Sequence, residues 1–314
     1  MTIHFMEPLS RAWNRMKLAL FRPFDLHKWF VVGFNAFLAG LMDAHNGSGG
    51  GRFQKDADFR DVVDFPRTAW HWLMDNPGWA IAILFAVVVA IVVMVVITWV
   101  SSRGVFMFLD NVARNSAEIA KPWREYRKEG DSLFVWRLVF GIVTFIAFGG
   151  LIAWFFIQGK FLYDAGFDRA VPVGLILGLA FLGLVLAVLI GCIVLFLKDF
   201  VAALMYKHRI TAVAGWRMFM GLFRQYPFHF LGYGIVVFFL VLGFVLVAVA
   251  AAILTCCIGG LLFIVPYLGT VVTLPFWYWL RSFSLEFLAQ FGPEYDVFPR
   301  PAEPAAPAAE APAV

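Results

Sequence analysis

Charge is scarce in this chain. Only 15% of its 314 residues are Asp, Glu, Lys or Arg, and 62% are hydrophobic. An ordinary soluble domain is about a quarter charged and about half apolar, so a soluble globular protein is excluded. Cysteine is scarcer still, at three. Cys192 lies in an apolar run and Cys256 adjoins Cys257, so no spacing suggests a zinc site, a redox CxxC or a disulfide framework. The six histidines are scattered, and HExxH and GxSxG are missing. Neither an enzyme nor a bound cofactor is expected. The first twenty residues carry Arg11, Arg15 and Lys17 with no apolar core before them, so no secretory signal is expected.

What is present is long uncharged sequence. Asn76–Ser102, Leu138–Gly159, Ala170–Leu197 and Gln225–Leu280 carry no Asp, Glu, Lys or Arg. A bilayer core takes about 20 apolar residues per helix, so the first three runs each predict one span and the last predicts two, turning at "TCCIGG" (255–260). A further span is predicted from the shorter run Trp29–Met42, completed by "PFDLH" if Asp25, His27 and Lys28 sit at the interface. The fold expected is all-α, a polytopic bundle of six spans. Lys and Arg number nineteen on one side of this topology and six on the other, which predicts cytoplasmic termini. The net charge of +4 is accounted for by these short loops, and no nucleic acid is expected.

One phrase recurs. "LFRPF" (20–24) and "LFRQYPF" (222–228) each precede an apolar run, and "AEIAKPWREYRKEGDSLF" (117–134) is a weaker copy. Leu9, Trp13, Met16 and Leu20 share a helical face, as do Val213, Trp216, Met220 and Phe223, and as do Ile119, Trp123 and Tyr126. Each set predicts an interfacial amphipathic helix leading into a span. The transmembrane domain, 1–295, therefore divides into three units of interfacial helix plus hairpin, at about 6–112, 113–207 and 208–292. Residues 43–77 form an extracytoplasmic insertion, where "GSGGG" lacks the GK[ST] of a phosphate loop. Asp56, Asp58, Asp61 and Asp64 there fit a solvated helix face and do not match an EF-hand, so no metal site is expected. Residues 296–314 are Pro/Ala-rich and should be disordered.

An acid stands near the inner end of each returning helix: Asp110, Asp199 and Glu286, with Arg103, Lys198 and Arg281 upstream. Packed around a pseudo-threefold axis, the carboxylates could ring a polar or ion site; near the inner boundary they could equally serve as structural pairs. In the last hairpin, Pro266, Tyr267, Gly269 and Pro275 mark a candidate intramembrane pocket, because proline leaves helix carbonyls without their usual donors.

"PFDLHKWF" (23–30), "SSRGVFMFLDN" (101–111), "KDFVAALMY" (198–206), "PYLGTVVTLP" (266–275) and "RSFSLEFLAQFGPEYDVF" (281–298) resemble an uncharacterised family of bacterial polytopic membrane proteins. The interfacial-helix-plus-hairpin plan is also distantly similar to the membrane domain of some glycerophosphodiester phosphodiesterases. No catalytic domain of that kind is present, so the resemblance implies architecture only. Two functions are compatible with these features. One is a lipid-binding or membrane-organising scaffold whose partners are membrane lipids, another membrane protein or a second copy of itself. The other is a small transporter or channel for an ion or amphiphile.

Overall fold

The computed structural model describes residues 3–42, 59–164, 173–254 and 266–298. Among these, every regular element is a helix: α1 (Met6–Phe21), α2 (Leu26–Gly40), α3 (Phe59–Asp75), α4 (Pro77–Arg114), α5 (Ala120–Glu125), α6 (Arg127–Asp164) and α7 (Val173–Phe196). A π-turn (Leu197–Val201) then runs into α8 (Ala202–His208), followed by α9 (Ala212–Gln225), α10 (Pro227–Leu254), α11 (Pro266–Val272) and α12 (Leu274–Ala289). The "TCCIGG" turn, residues 299–314 of the Pro/Ala tail and residues 43–58 of the acidic insertion lie outside the described residues.

Among the described residues, four helices are long and apolar enough to cross a membrane: Pro77–Arg114, Arg127–Phe161, Val173–His208 and Pro227–Ala251. At 15 residues α2 falls short of that length, and α11 and α12 are separated by a break at Thr273. The apolar windows of the four candidate spans are almost entirely uncovered by protein, as side chains meant for lipid should be.

Burial concentrates at one end. Residues 101–113 of α4, 199–206 of the π-turn and α8, and 281–288 of α12 are buried without interruption. These three segments touch one another and form the centre of the molecule. Helices buried on every side read as apolar all round, and here Phe106, Leu109, Phe200, Leu204, Phe283 and Phe287 supply that surface. Glycine allows the tightest approach. A Cβ on Gly104 of α4 would lie 2.6 Å from Leu38 Cβ of α2, and one on Gly33 would lie 2.7 Å from Val271 Cγ2 of α11. Thus α2 is wedged between α4 and α11.

The amphipathic segments dock on this centre. Helix α1 lies along α12, burying Ala12, Met16, Ala19 and Leu20, and the Trp13 ring meets Trp279 edge-on at 5.3 Å. Helix α9 lies on the π-turn and α8, burying Ala212, Gly215, Phe219 and Leu222. Val213 and Met220, on the stripe expected at the interface, are exposed, so α9 carries a second apolar side, Ala212, Gly215, Phe219 and Leu222, that faces protein. Helix α5 is a single short piece against α4, with Trp123 edge-on to Trp99.

Linkers are stapled by side chains. Asp25 caps α2 through the His27 N–H at 2.8 Å. Asn115 and Arg209 end α4 and α8 in the left-handed conformation. Asn111 accepts from the Ser116 hydroxyl and the Glu118 N–H and donates to the Glu118 carbonyl, which Asn35 of α2 also reaches.

Candidate functional site

The three acids stand in the buried centre; the first two are held by parts of the chain that follow them and the last by one that precedes it. Asp110 Oδ1 accepts from the Tyr206 hydroxyl at 2.8 Å and the Tyr126 hydroxyl at 3.1 Å, and lies 3.0 Å from Arg114 Nε. Asp199 Oδ2 accepts from the Tyr233 hydroxyl at 2.9 Å, and its Oδ1 is 3.6 Å from Arg281 Nη1. Glu286 Oε1 accepts from Arg15 Nε at 3.1 Å and Nη2 at 2.7 Å. The last acid therefore returns to the first helix. The contacts run from α4 to α8 and to Tyr126, just ahead of α6, from the π-turn to α10 and α12, and from α12 to α1.

The basic residues expected beside the acids behave differently from one another. Arg103 does not pair with Asp110. Its Nε and Nη2 donate to Asp131 of α6 at 3.2 and 2.7 Å, and its guanidinium lies over the Trp99 and Trp123 rings. Gly130 is what lets α6 approach, since a Cβ there would lie 2.9 Å from Arg103 Cγ. Lys198 Nζ stands 5.7 Å from the Trp277 ring. Arg281 donates through Nη1 to the Lys198 carbonyl. The π-turn makes that carbonyl available: the Ala202 N–H, which would serve Lys198 in an α-helix, bonds Leu197 instead.

Tyrosines form the second layer. Tyr126 and Tyr206 stack with centroids 4.8 Å apart, and Arg209 covers the Tyr126 ring at 3.9 Å. Burial pushes the Tyr126 hydroxyl far above the ordinary tyrosine range, Tyr206 and Asp110 push the same way, and Arg209 opposes them weakly. Tyr126 therefore stays a donor. Tyr233 is enclosed by Phe200, Phe283 and Phe287.

The residues of the second expected site have the following neighbours among the described residues. Tyr267 sits among Phe30, Phe34 and Phe37 and donates to the Phe30 carbonyl at 3.0 Å. The Gly269 carbonyl accepts from both the Thr273 N–H and its hydroxyl, at 3.0 and 2.8 Å. Pro266 opens α11 and Pro275 is the second residue of α12, so the two prolines flank the break at Thr273. Arg114, Tyr206 and Tyr233 were not singled out from sequence, and Arg15 and Tyr126 were noted only for the helices they stand in. A tyrosine inside an uncharged run was the available signal for Tyr233, because a buried hydroxyl needs a partner.

No three histidine, cysteine or carboxylate side chains gather as metal ligands among the described residues. Four long apolar helices around a core at one end, with its charges closed into pairs, define an all-α multi-pass membrane protein. The chain belongs to a family of unknown function, DUF7544, whose sequence profile matches residues 3–274. No curated protein and no solved structure matches it.

Proposed function

We propose that the protein is a non-enzymatic module of the bacterial inner membrane that binds lipid and organises its surroundings in the bilayer. It crosses six times as three repeated units, with α2 and the α11–α12 pair supplying the two shorter crossings and both termini in the cytoplasm. The observation that carries this reading is the outer face of the docked helices. On α1 and the turn after it, Leu18, Phe21 and Phe24 are exposed beside Lys17 and Arg22; on α9, Val213 and Met220 are exposed beside Arg217 and Arg224. Apolar side chains next to cations suit a helix lying at the boundary between acyl chains and phosphate headgroups.

Transport of an ion or amphiphile is the weaker reading, because Asp110, Asp199 and Glu286 all have protein partners. The experiment is native mass spectrometry of protein released from nanodiscs of mixed zwitterionic and anionic phospholipid. Retained anionic lipid, reduced when Lys17, Arg22, Arg217 and Arg224 are changed to Gln, is the expected result. Protein that sheds every lipid and crosslinks to no membrane partner would remove the proposal.

A further inference from the structure

Three arginines of the molecule meet acids in a comparable way, and one of them is unfinished. Arg15 sends both Nε and Nη2 to one carboxylate oxygen of Glu286, and Arg103 sends the same two nitrogens to one oxygen of Asp131. Arg281 is more deeply enclosed than either, at 5% exposed, yet its Nε and Nη2 have no hydrogen-bond partner among the described residues. The hydroxyl of Ser282, next along α12 and fully buried, has none either.

The cause is visible in the backbone. The π-turn presents the Lys198 carbonyl to Arg281 Nη1, and Tyr233 takes Asp199 Oδ2. Held in this way, Asp199 Oδ1 stays 3.6 Å from Nη1, beyond hydrogen-bond range, and the Nε/Nη2 edge faces no carboxylate. Leaving guanidinium N–H groups bare in a buried place is expensive. A ligand is therefore implied, and charge selects its kind. Asp199 already balances Arg281, so an anion at this edge would bring an uncompensated charge beside a carboxylate. A neutral molecule that both accepts and donates meets the requirement.

We propose that the junction of the π-turn with α12 is an internal water site, with water accepting from Arg281 Nε and Nη2 beside the Asp199–Tyr233 pair. The three acids are then not alike. Asp110 and Glu286 each lie within 3.0 Å of an arginine nitrogen, whereas the Asp199 junction is the hydrated point of the buried centre. This proposal is independent of lipid binding.

X-ray radiolysis footprinting in nanodiscs tests it, because hydroxyl radicals made from bound water label adjacent side chains that bulk solvent does not reach. Tyr233 and Tyr278 are equally enclosed, at 0% and 1% exposed, and make an internal comparison that needs no variant. Labelling of Tyr233 several-fold faster than Tyr278 is expected, with the difference lost in the double variant Asp199→Asn, Arg281→Met. Equal rates in the unaltered protein would overturn the proposal. So would a high-resolution map in which Asp199 turns to make a direct two-nitrogen pair with Arg281, or in which the edge carries a lipid phosphate.

Discussion

The Tyr206 hydroxyl donates to Asp110 Oδ1 at 2.8 Å, joining residues 96 positions apart. The Tyr126 hydroxyl reaches the same oxygen. One carboxylate thus fastens the C-terminal part of α4 both to the residue just ahead of α6 and to the end of α8. Tyr206→Phe removes a donor to a charged acceptor while keeping the ring stack on Tyr126, so the cost should be about 1.5–3 kcal/mol. Asp110→Ala should cost more than Tyr206→Phe, since it releases Tyr126, Tyr206 and Arg114 together. Thermal unfolding in nanodiscs orders the two variants, and the reverse order would show that Asp110 is not the shared anchor.

Glu286 is buried while Arg15 is 39% exposed in its side chain, so their pair is partly screened. Arg15→Ala should lower stability by about 1–2 kcal/mol. The effect should be local: faster amide exchange along α1, where Trp13 meets Trp279 and Phe5 stacks on Phe287, with α9 unchanged. Uniform acceleration across all helices would mean that the pair holds more than the N-terminal helix.

Gly104 carries the closest helix contact. An added methyl would meet both the Leu38 side chain and its backbone, at 2.6 and 2.7 Å, so the neighbour cannot yield by rotating a flexible tip. Gly104→Ala should destabilise by about 1–3 kcal/mol. Gly141→Ala, where nothing lies within 4 Å, is the control and should be neutral or slightly stabilising. Equal behaviour of the two would contradict the wedge of α2 between α4 and α11.

Tyr126 gives a pH dependence with a defined sign. Its folded-state hydroxyl is raised by burial above the unfolded value of about 10. Below that pH both states keep the proton and nothing changes. Above it the unfolded chain releases a proton that the folded protein retains, so stability falls as pH rises. Unfolding midpoints followed from about pH 8 to 11 should decline more steeply in the unaltered protein than in Tyr126→Phe. Parallel curves would assign the alkaline loss to other groups.

The long helices were legible because a bilayer demands runs of apolar residues and little else does. The three acids were legible for the same reason, as charges breaking such runs at like positions. Their partners were not. Arg15 stands among basic residues near the start of the chain, and nothing local reveals that it meets Glu286 across 271 residues. Helix α9 is apolar on two sides, and hydropathy does not distinguish an apolar side chain that meets protein from one left outward. Gly215 could have told them apart, since Val201 and Met205 approach it closely and a larger residue there would not fit. The π-turn at Leu197–Val201 has no sequence mark of its own; it coincides with the Lys198 carbonyl that Arg281 reaches and with Asp199, which Tyr233 holds.

Burial confined to one end has a mechanical meaning. The long helices are tied together where the acids are, and their apolar middles are left to the surrounding acyl chains. A bilayer that grows thinner or thicker can change the tilt of those free lengths at modest cost, while the knot of carboxylates, tyrosines and arginines keeps its shape. The molecule is built to hold a fixed form at one membrane face while conforming to the thickness of whatever lipid surrounds it.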